Sequence, residues 1–344
     1  MFEVKLINMK LLFVGHIQPG STTKQRLLAF KRIGFNVLDC NVDGSLPFFL
    51  KYLDRIFCHY YIYLDWWSVN KRILKFVKDF NPNIIWIEKG LRIRRETLIK
   101  LKNQSKNIQI VGYSCDDLIL KRNLSFNLIN SFPFYDHFIT TKSYNVEELK
   151  KFGVMNARFY DNAYDNTVYK LINNDGKYKY DLSFVGGFEE ERFKSIIFLA
   201  DANFIIHVFG PGWQEYLGFH KNIIVKGGWI MEDEVNQIFN QTKVNLHFLR
   251  KVARDLQTTR SMEIPGSCSF MLAEDTSEHR NLFAHEKEAV FFSSDEDLLC
   301  KVKYYLINDF EREKIKLAGH KRSINSFYSY DKILLKIVED IKSK

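Results

Sequence analysis

Short apolar runs alternate along the whole chain with longer segments in which apolar residues recur at helical spacing. In the first half these runs are residues 10–15 (KLLFVG), 83–87 (NIIWI), 108–113 (IQIVGY) and 138–141 (FITT). Runs this short, without strict alternation, are typical of strands buried on both faces of a parallel sheet. The pattern therefore predicts an α/β fold, and the aromatic segment 46–80 predicts two helices that pack over the sheet.

The same pattern restarts at Asp181. Five further strands are predicted, at residues 182–187 (LSFVGG), 204–209 (FIIHVF), 222–226 (NIIVK), 244–248 (VNLHF) and 269–273 (SFMLA). Helices are expected between them and again over residues 295–308 and 310–326. A chain of 344 residues is long enough for two domains with separate cores. We therefore expect a second α/β domain beyond the restart.

Cysteine and histidine spacing excludes several classes of site. The five cysteines are odd in number and scattered, which argues against a disulfide framework or a zinc site and fits a reducing cytoplasm. The nine histidines form no His-Glu-x-x-His pattern, so no protein-held metal is expected. The loop after the first predicted strand has neither a G-x-G-x-x-G nor a Walker lysine pattern, and no cofactor is expected. No apolar run reaches the length of a membrane span, and nothing in the sequence indicates secretion.

The net charge of +9 is partly local. Residues 86–106, which include Lys106, hold seven Lys and Arg side chains against two acidic ones. A basic face attracts the phosphates of nucleic acids, anionic lipids or sugar nucleotides, and a solvated helix surface is the alternative. Because the aromatic residues form no RNA-stacking motif, nucleic acid is not expected among the partners.

The stretch 242–275 places charged groups between two predicted strands, with Pro265 ending a short helix. Glu263, at the start of that helix, has two acceptor oxygens that suit the two hydroxyls of a ribose. Arg254 or Arg260 would neutralise a diphosphate, and Asp255 lies eight residues before Glu263. The alternative is a surface ion pair between Arg260 and Glu263 beside a solvated Asp255.

Two adjacent carboxylates, Asp116 and Asp117, follow the predicted strand 108–113. Ligands collect at the carboxyl ends of parallel strands, and an aspartate there can accept the proton of an incoming hydroxyl. We therefore consider both residues as candidates for a general base. The alternative is that Asp117 caps the following helix.

The last hundred residues carry a family resemblance. RSMEIPGSCSFMLAEDTSEHRNLF and EKEAVFFSSDEDLLCKVKYYLINDFEREKIKLAG resemble the glycosyltransferase-like proteins of the CgeB spore-coat type, which are relatives of the group 1 glycosyltransferases with the GT-B fold. Those enzymes carry a Glu-x7-Glu motif whose second Glu holds the nucleotide ribose. Glu263 matches that position, whereas Asp255 replaces the first Glu.

The resemblance implies two doubly wound Rossmann-like domains that face an interdomain cleft. It assigns residues 1–165 to an acceptor-binding domain and residues 166–322 to a donor-binding domain, with a terminal helix over 323–344 that returns to the first domain. In such a first domain, the loop that contains His16 faces the cleft. Lys89 occupies a Lys-Gly position that also faces the cleft. The alternatives are that His16 is a surface histidine and that Lys89 lies in a simple turn.

On the donor side, the resemblance places the loop Gly186-Gly187 beneath the donor diphosphate. Glycines let a backbone approach a phosphate, and Arg192 on the first helical turn can reach it. The three glutamates before Arg192 favour a plain helix start instead. Gly212 lies in a Gly-Pro-Gly-Trp turn that resembles the turn of the family. Trp229 is a candidate to stack on the base, and a buried tryptophan is the alternative.

The resemblance thus implies a metal-independent glycosyltransferase that takes a nucleotide-sugar donor as co-substrate. The acceptor would be a glycan, a lipid-linked compound or a protein, and the enzyme would be cytoplasmic, with peripheral attachment at the inner membrane face as a further expectation. Two alternatives stay open: an epimerase or phosphorylase with the same fold, or a non-catalytic module that binds a sugar nucleotide or nucleic acid.

Overall fold

A computed structural model of the chain describes residues 9–105, 107–173 and 177–343, so Lys106 and the first eight residues of the expected domain 1–165 lie outside it. The described chain forms two compact units. The first runs to Asp161 and resumes at Ile333, and the second spans Asn162–Lys332. Residues 162–165 and 323–332, which the sequence analysis assigned elsewhere, are tied together in the second unit because Tyr164 and Tyr328 form a backbone hydrogen bond of 2.9 Å.

The first unit is a six-stranded parallel sheet with helices around it. The strand order is β2-β1-β3-β4-β5-β6, and the strands are β1 Lys10–Gly15, β2 Asn36–Asn41, β3 Ile84–Glu88, β4 Gln109–Ser114, β5 His137–Thr140 and β6 Ala157–Phe159. The helices are α1 Thr22–Arg32, α2 Phe48–His59, α3 Val69–Phe80, α4 Arg95–Gln104, α5 Phe126–Ser131 and α6 Asn145–Lys151, with 3₁₀ turns at Lys121–Asn123 and Phe132–Phe134.

The core of this unit consists of the apolar runs that the sequence pattern identified. Leu12, Val14, Ile85 and Ile110 are fully buried, because the strands are covered by helices on both faces. The two helices expected within residues 46–80 are present as α2 and α3. α3 contributes Ile73 and Val77 to the core, whereas α2 has no fully buried side chain.

The second unit repeats the architecture with its own core. The strand order is β12-β11-β10-β7-β8-β9, and the strands are β7 Tyr180–Val185, β8 Ile206–Phe209, β9 Ile223–Val225, β10 Thr242–His247, β11 Met271–Glu274 and β12 Val290–Phe292. The helices are α7 Glu190–Asp201, α8 Glu232–Asn240, α9 Arg260–Gly266, α10 Ser277–Leu282, α11 Asp295–Ile307 and α12 Asp309–Asn325, with 3₁₀ turns at Gln214–Tyr216 and Lys251–Ala253.

The last helix, α13 (Tyr330–Lys342), begins in the second unit and ends in the first. Asp340 accepts hydrogen bonds from the Arg158 guanidinium at its backbone oxygen (2.9 Å) and from the Tyr160 hydroxyl at its carboxylate (2.6 Å). These contacts attach α13 to the edge of the first sheet. No helix in the described ranges is both long enough and apolar enough to cross a membrane.

Each sheet reverses its strand order at one place. In the first unit the reversal lies between β1 and β3, and in the second it lies between β7 and β10. Parallel α/β sheets bind ligands in the crevice at the carboxyl ends of the strands that flank such a reversal. The loops after these four strands are therefore where each unit is expected to bind its ligand.

Candidate functional site

Arg192 bridges the carboxyl ends of the two strands at the reversal in the second unit. Its guanidinium donates to the carbonyl oxygens of Gly187 (2.8 Å), Phe248 (3.1 Å) and Leu249 (3.4 Å). The side chain is 7% exposed, and none of the described carboxylates forms an ion pair with it. Burial lowers the pKa of Arg192, and the more distant carboxylates of Glu189, Asp255 and Glu274 do not offset that effect.

The glycine loops after β7 and β8 pack against one another. Trp213 is fully buried and donates from Nε1 to the carbonyl oxygen of Gly186 at 2.8 Å. A Cβ on Gly210 would lie 2.3 Å from that same oxygen, so only glycine fits there. Gly212 has φ +85°, and a Cβ there would meet the Phe188 side chain at 2.9 Å. The Gly-Pro-Gly-Trp turn is thus fixed by close packing.

Gly187 itself has space around it. A Cβ there would meet only Pro211, at 3.7 Å or more. The backbone then enters α7, whose N-cap residue Glu189 makes no side-chain hydrogen bond to the first turn. The first N–H groups of α7 are therefore not used by a capping side chain. A helix N-terminus with such groups is a general anion-binding feature.

Glu263 lies inside the unit on α9, with 1% of its surface exposed. Its carboxylate pairs with Arg260 one turn away, and Arg260 also donates from Nε to the carbonyl oxygen of Val185 at 3.3 Å. Burial works to lower the pKa of Arg260, but the Glu263 carboxylate outweighs it and the pKa is raised. The i,i+3 pair anticipated from the sequence exists, but it is not a solvated surface pair.

Asp255 is also buried and not solvated. Its carboxylate accepts a 2.8 Å hydrogen bond from Nε of Arg250, and its backbone N–H donates to the Arg250 carbonyl oxygen at 3.2 Å. The loop can turn at this point because Arg254 adopts a left-handed conformation with φ +51°. The Arg254 side chain is exposed. The two arginines near Asp255 therefore occupy different environments.

A buried chain of hydrogen bonds through two histidines and a serine connects α9 with β10 and α10. His279 Nδ1 lies 2.7 Å from the Glu274 carbonyl oxygen and donates to it, so Nε2 accepts from the Ser261 hydroxyl at 2.8 Å. The Ser261 oxygen in turn accepts from Nε2 of His247 at 3.0 Å. Burial holds the pKa of His247 well below its ordinary value and lowers that of His279 to about 4, so both rings are neutral.

Trp229 lies in the loop after β9 and is 76% exposed. The alternative of a buried tryptophan is therefore wrong, because the preceding Gly228 turns the chain outward with φ +113°. An indole exposed to this extent is available to stack on a planar ligand. The neighbouring Gly227 is held by Gln214, whose side chain would lie 2.9 Å from a Cβ there.

In the first unit, the loops after β1 and β2 bring His16 and Asp43 together. Nδ1 of His16 forms a hydrogen-bonded pair with the Asp43 carboxylate, and this bond raises the pKa of His16 above its ordinary value. His16 remains exposed. Sequence reasoning missed Asp43, and only the pairing of β1 with β2 shows that the two loops meet.

Lys89 and Asp116 form an ion pair across the carboxyl ends of β3 and β4. Burial works to lower the pKa of Lys89, but the Asp116 carboxylate outweighs it and the pKa is raised. Asp117 has a different role: it is 1% exposed, and its carboxylate accepts from the Ile119 N–H and the Asn145 side chain, each at 3.1 Å. Asp117 thus stabilises the turn, and Asp116 is the better placed of the two to meet a ligand.

Two further basic residues of the stretch 86–106 form ion pairs within the first unit. Arg92 pairs with Asp54 at 3.0 Å, and Lys102 pairs with Asp136. Sequence reasoning also missed a fully buried pair between Arg26 and Glu88, with a shortest distance of 2.6 Å. Across the described ranges, no group of three or more His, Cys, Asp or Glu side chains is arranged to hold a metal ion.

Comparison with known proteins agrees with the fold. Residues 194–339 match the family model described as glycosyl transferase-like. A search of curated protein sequences found no significant match. The fold resembles HepE (Alr3699) of Anabaena, solved in complex with UDP and glucose, at 12% identity and TM-score 0.62, over 98% of this chain and 100% of that one.

Two further structures share the fold. A glycosyltransferase from Rickettsia africae ESF-5 is 11% identical with TM-score 0.66, over 98% of each chain. The sucrose-phosphate synthase (tll1590) from Thermosynechococcus elongatus is 11% identical with TM-score 0.65, over 97% of this chain and 98% of that one. The predicted fold class is confirmed. Residues 194–339 match a glycosyl transferase-like domain, and the chain has the GT-B fold.

Proposed function

We propose that the chain is a glycosyltransferase that uses a UDP-sugar as its donor and binds the nucleotide on the second unit, without a metal ion. The observation that carries the proposal is Arg192, a buried cation at the strand reversal that donates to carbonyl oxygens and forms no ion pair with a described carboxylate. Isolating a charge from water costs several kcal/mol unless an anion compensates it. A donor diphosphate at Gly187 and the first turn of α7 would be that anion.

The remaining candidate residues would surround the rest of the donor. The free lone pairs of Glu263 would accept hydrogen bonds from the ribose hydroxyls, with Arg260 holding the carboxylate in place. Trp229 would stack on the base, and Asp255, oriented by Arg250, would face the sugar. HepE was solved with UDP and with UDP-glucose, which supports uracil as the base.

During transfer, the bond between the sugar C1 and the diphosphate oxygen breaks, and the electron pair stays on the diphosphate. Arg192, with Arg254 beyond it, would stabilise this developing charge in place of a metal ion. The acceptor oxygen bonds to C1 and releases its proton. On the first unit, His16 and Asp116 are the candidates to take that proton, and Lys89 would orient the acceptor.

Two finer expectations belong to the same proposal. The motif around Glu263 supports a place near the CgeB spore-coat type, with Asp255 replacing the first Glu. The acceptor would be a glycan, a lipid-linked compound or a protein that the enzyme meets in the cytoplasm. The net charge of +9 suits acceptors carried on an anionic surface.

A thermal-shift screen tests the donor assignment, because a ligand that binds the folded state raises its melting temperature. UDP, GDP, CMP and dTDP would each be added, alone and as their sugar conjugates. We expect UDP and a UDP-sugar to give the largest shifts, followed by release of free UDP from that UDP-sugar when an acceptor is supplied. If no nucleotide raises the melting temperature, the donor site is not where we place it.

A further inference from the structure

Helix α2 presents an apolar stripe to solvent. Phe48 and Phe49 are 89% and 67% exposed, and Tyr52 and Ile56 are exposed as well. At 100° per residue these four side chains fall within an arc of roughly 100° on one side of the helix. Single exposed apolar residues are common on protein surfaces, but four on one stripe form a patch that marks an interaction surface.

The patch continues onto the loop after α2 and onto the first residue of α5. Tyr60 is exposed just after α2, and Phe126, also exposed, packs its ring 5.9 Å from that of Tyr61. The Tyr63 hydroxyl donates to the carbonyl oxygen of Arg122 at 3.2 Å, which joins the loop after α2 to the segment before α5. We call the set Phe48, Phe49, Tyr52, Ile56, Tyr60 and Phe126 the α2 face.

The opposite side of α2 is firmly attached. Asp54 receives two hydrogen bonds from the Arg92 guanidinium, at 3.0 and 3.2 Å, and a third from Nε1 of Trp66 at 2.7 Å. Arg92 also stacks over the Trp67 ring, with its guanidinium carbon 5.0 Å from the ring centre. Because these contacts fix the orientation of the helix, the stripe is held outward.

The charges around the α2 face are basic. Lys51 and Arg55 are exposed on the helix beside the stripe, and Lys121 and Arg122 are exposed on the loop before Phe126. The one acid of the helix, Asp54, is bound on the inner side. Apolar aromatic side chains with a basic rim match the interface of a bilayer that contains anionic lipids. A second copy of the chain would bring the same basic rims together, which is unfavourable in a two-fold contact.

The α2 face is linked to the acceptor-side residues of the same unit. Arg92, which holds Asp54, lies 3.8 Å through Nε from Asp43, and Asp43 pairs with His16. A membrane that covers the α2 face would therefore lie close to the groups proposed to receive the acceptor. This connection favours a lipid-linked acceptor over a glycan or a protein.

We propose that the α2 face docks on an anionic lipid surface and that the acceptor is lipid-linked. The docking follows from the exposed residues alone, whereas the acceptor class rests on the proposed transferase function. The stripe would insert at the level of the lipid headgroups, and the four basic side chains would contact anionic headgroups.

Vesicle co-sedimentation of the full chain tests the docking. The probes are vesicles of phosphatidylcholine alone and of phosphatidylcholine with phosphatidylglycerol in equal parts. We expect the chain to sediment with the anionic vesicles and to be released by high salt. The variant Phe48→Ser with Phe49→Ser would lower the partition coefficient roughly tenfold or more, because two apolar side chains no longer leave water.

Phe310→Ser is the matched control, since Phe310 is 80% exposed in the second unit and lies between Asp309 and Glu311. It should bind vesicles as the unchanged chain does. Lys51→Glu with Arg55→Glu should weaken binding to anionic vesicles only. Docking is refuted if the unchanged chain stays in the supernatant, if the double Phe variant sediments equally, or if sedimentation velocity reveals a dimer that this variant abolishes.

The acceptor class is tested separately, with the UDP-sugar that supports transfer. The double Phe variant should keep its thermal shift with UDP but lose transfer to lipid-linked acceptors presented in vesicles, while UDP release to water is unchanged. A variant that loses vesicle binding but not this transfer overturns the acceptor assignment. Failure of the UDP shift in the unchanged chain would instead refute the proposed donor site and leave the docking result as it stands.

Discussion

The guanidinium of Arg192 donates a 2.8 Å hydrogen bond to the carbonyl oxygen of Gly187, which joins a buried cation to the glycine loop after β7. Two more bonds from the same group reach the end of β10. One side chain thus fixes both loops at the strand reversal while its own charge has no carboxylate partner. Arg192 therefore holds a buried positive charge at the strand reversal that is not compensated by an ion pair.

Replacement of Arg192 should weaken diphosphate binding more than nucleoside binding. We expect Arg192→Lys to raise the Kd for UDP at least about tenfold, because a lysine cannot keep the forked contacts, while the Kd for uridine changes little. Isothermal titration of both ligands measures this. Lys194→Met, on the exposed side of α7, is the control and should change neither. An unchanged UDP affinity in Arg192→Lys would mean that Arg192 is purely structural.

Glu263→Gln, unlike the replacement of Arg192, should weaken uridine and UDP binding equally. Because the ribose is common to uridine and UDP, we expect both Kd values to rise by the same factor, about tenfold. The buried pair with Arg260 is also lost, so the free energy of unfolding in urea should fall by about 2 kcal/mol. Glu191→Gln breaks an exposed i,i+3 pair instead and should have neither effect. Loss of stability with intact uridine binding would contradict the ribose assignment.

The fold was predictable from the sequence because a buried parallel strand is a short apolar run whatever its neighbours are. The 269–273 run became β11, Met271–Glu274, and the 204–209 run became β8, Ile206–Phe209. β6, at Ala157–Phe159, is not among the predicted strands, because its three residues carry no apolar run; in the structure all three are half-buried. Edge strands of this kind are defined by pairing and not by composition.

For the candidate site, the sequence indicates which residues to consider but not which partners they have. Sequence reasoning proposed Glu263, Arg192 and His16 from the family resemblance and from the loops and helix starts that follow predicted strands. It could not show that Glu263 is buried against Arg260, or that Asp43 pairs with His16, because these contacts depend on how side chains pack. The buried chain through His247, Ser261 and His279 has no sequence signal at all, since its members come from three separate elements.

The hydrogen bond to Asp43 sets the pH range in which His16 is expected to lose its proton. Since the folded pKa is raised, the charged ring and its bond to Asp43 are favoured below the ordinary pKa, and this interaction is lost as the pH rises through the folded pKa. A base must be neutral, so transfer should increase with pH through the same value. NMR titration of the ring protons should place the pKa above 6.5, and Asp43→Asn should lower it.

Asp39→Asn, which removes an exposed carboxylate on β2, is the control for this titration. This variant should change neither the pKa of His16 nor the pH profile of transfer. The proposed role of His16 is wrong if Asp43→Asn lowers the pKa of the ring but the pH profile does not move.

His279 should make the second unit sensitive to acid. Its folded pKa of about 4 lies below the unfolded value of 6.5, so the unfolded chain binds the proton more readily. Stability is therefore complete above pH 6.5 and falls as the pH decreases toward 4, by about 3 kcal/mol over that range. Urea unfolding at several pH values should show this slope, and His279→Gln should flatten it. An equal slope in the variant would mean that other groups are responsible.

Hydrogen–deuterium exchange with the nucleoside diphosphate that gives the largest thermal shift tests the central claim most directly. If the second unit binds the donor at its strand reversal, amide exchange should slow in peptides covering residues 186–192 and 260–263, with α11 as an unaffected reference. Slowed exchange confined to the first unit, or in neither of these two segments while the ligand is bound, would contradict it.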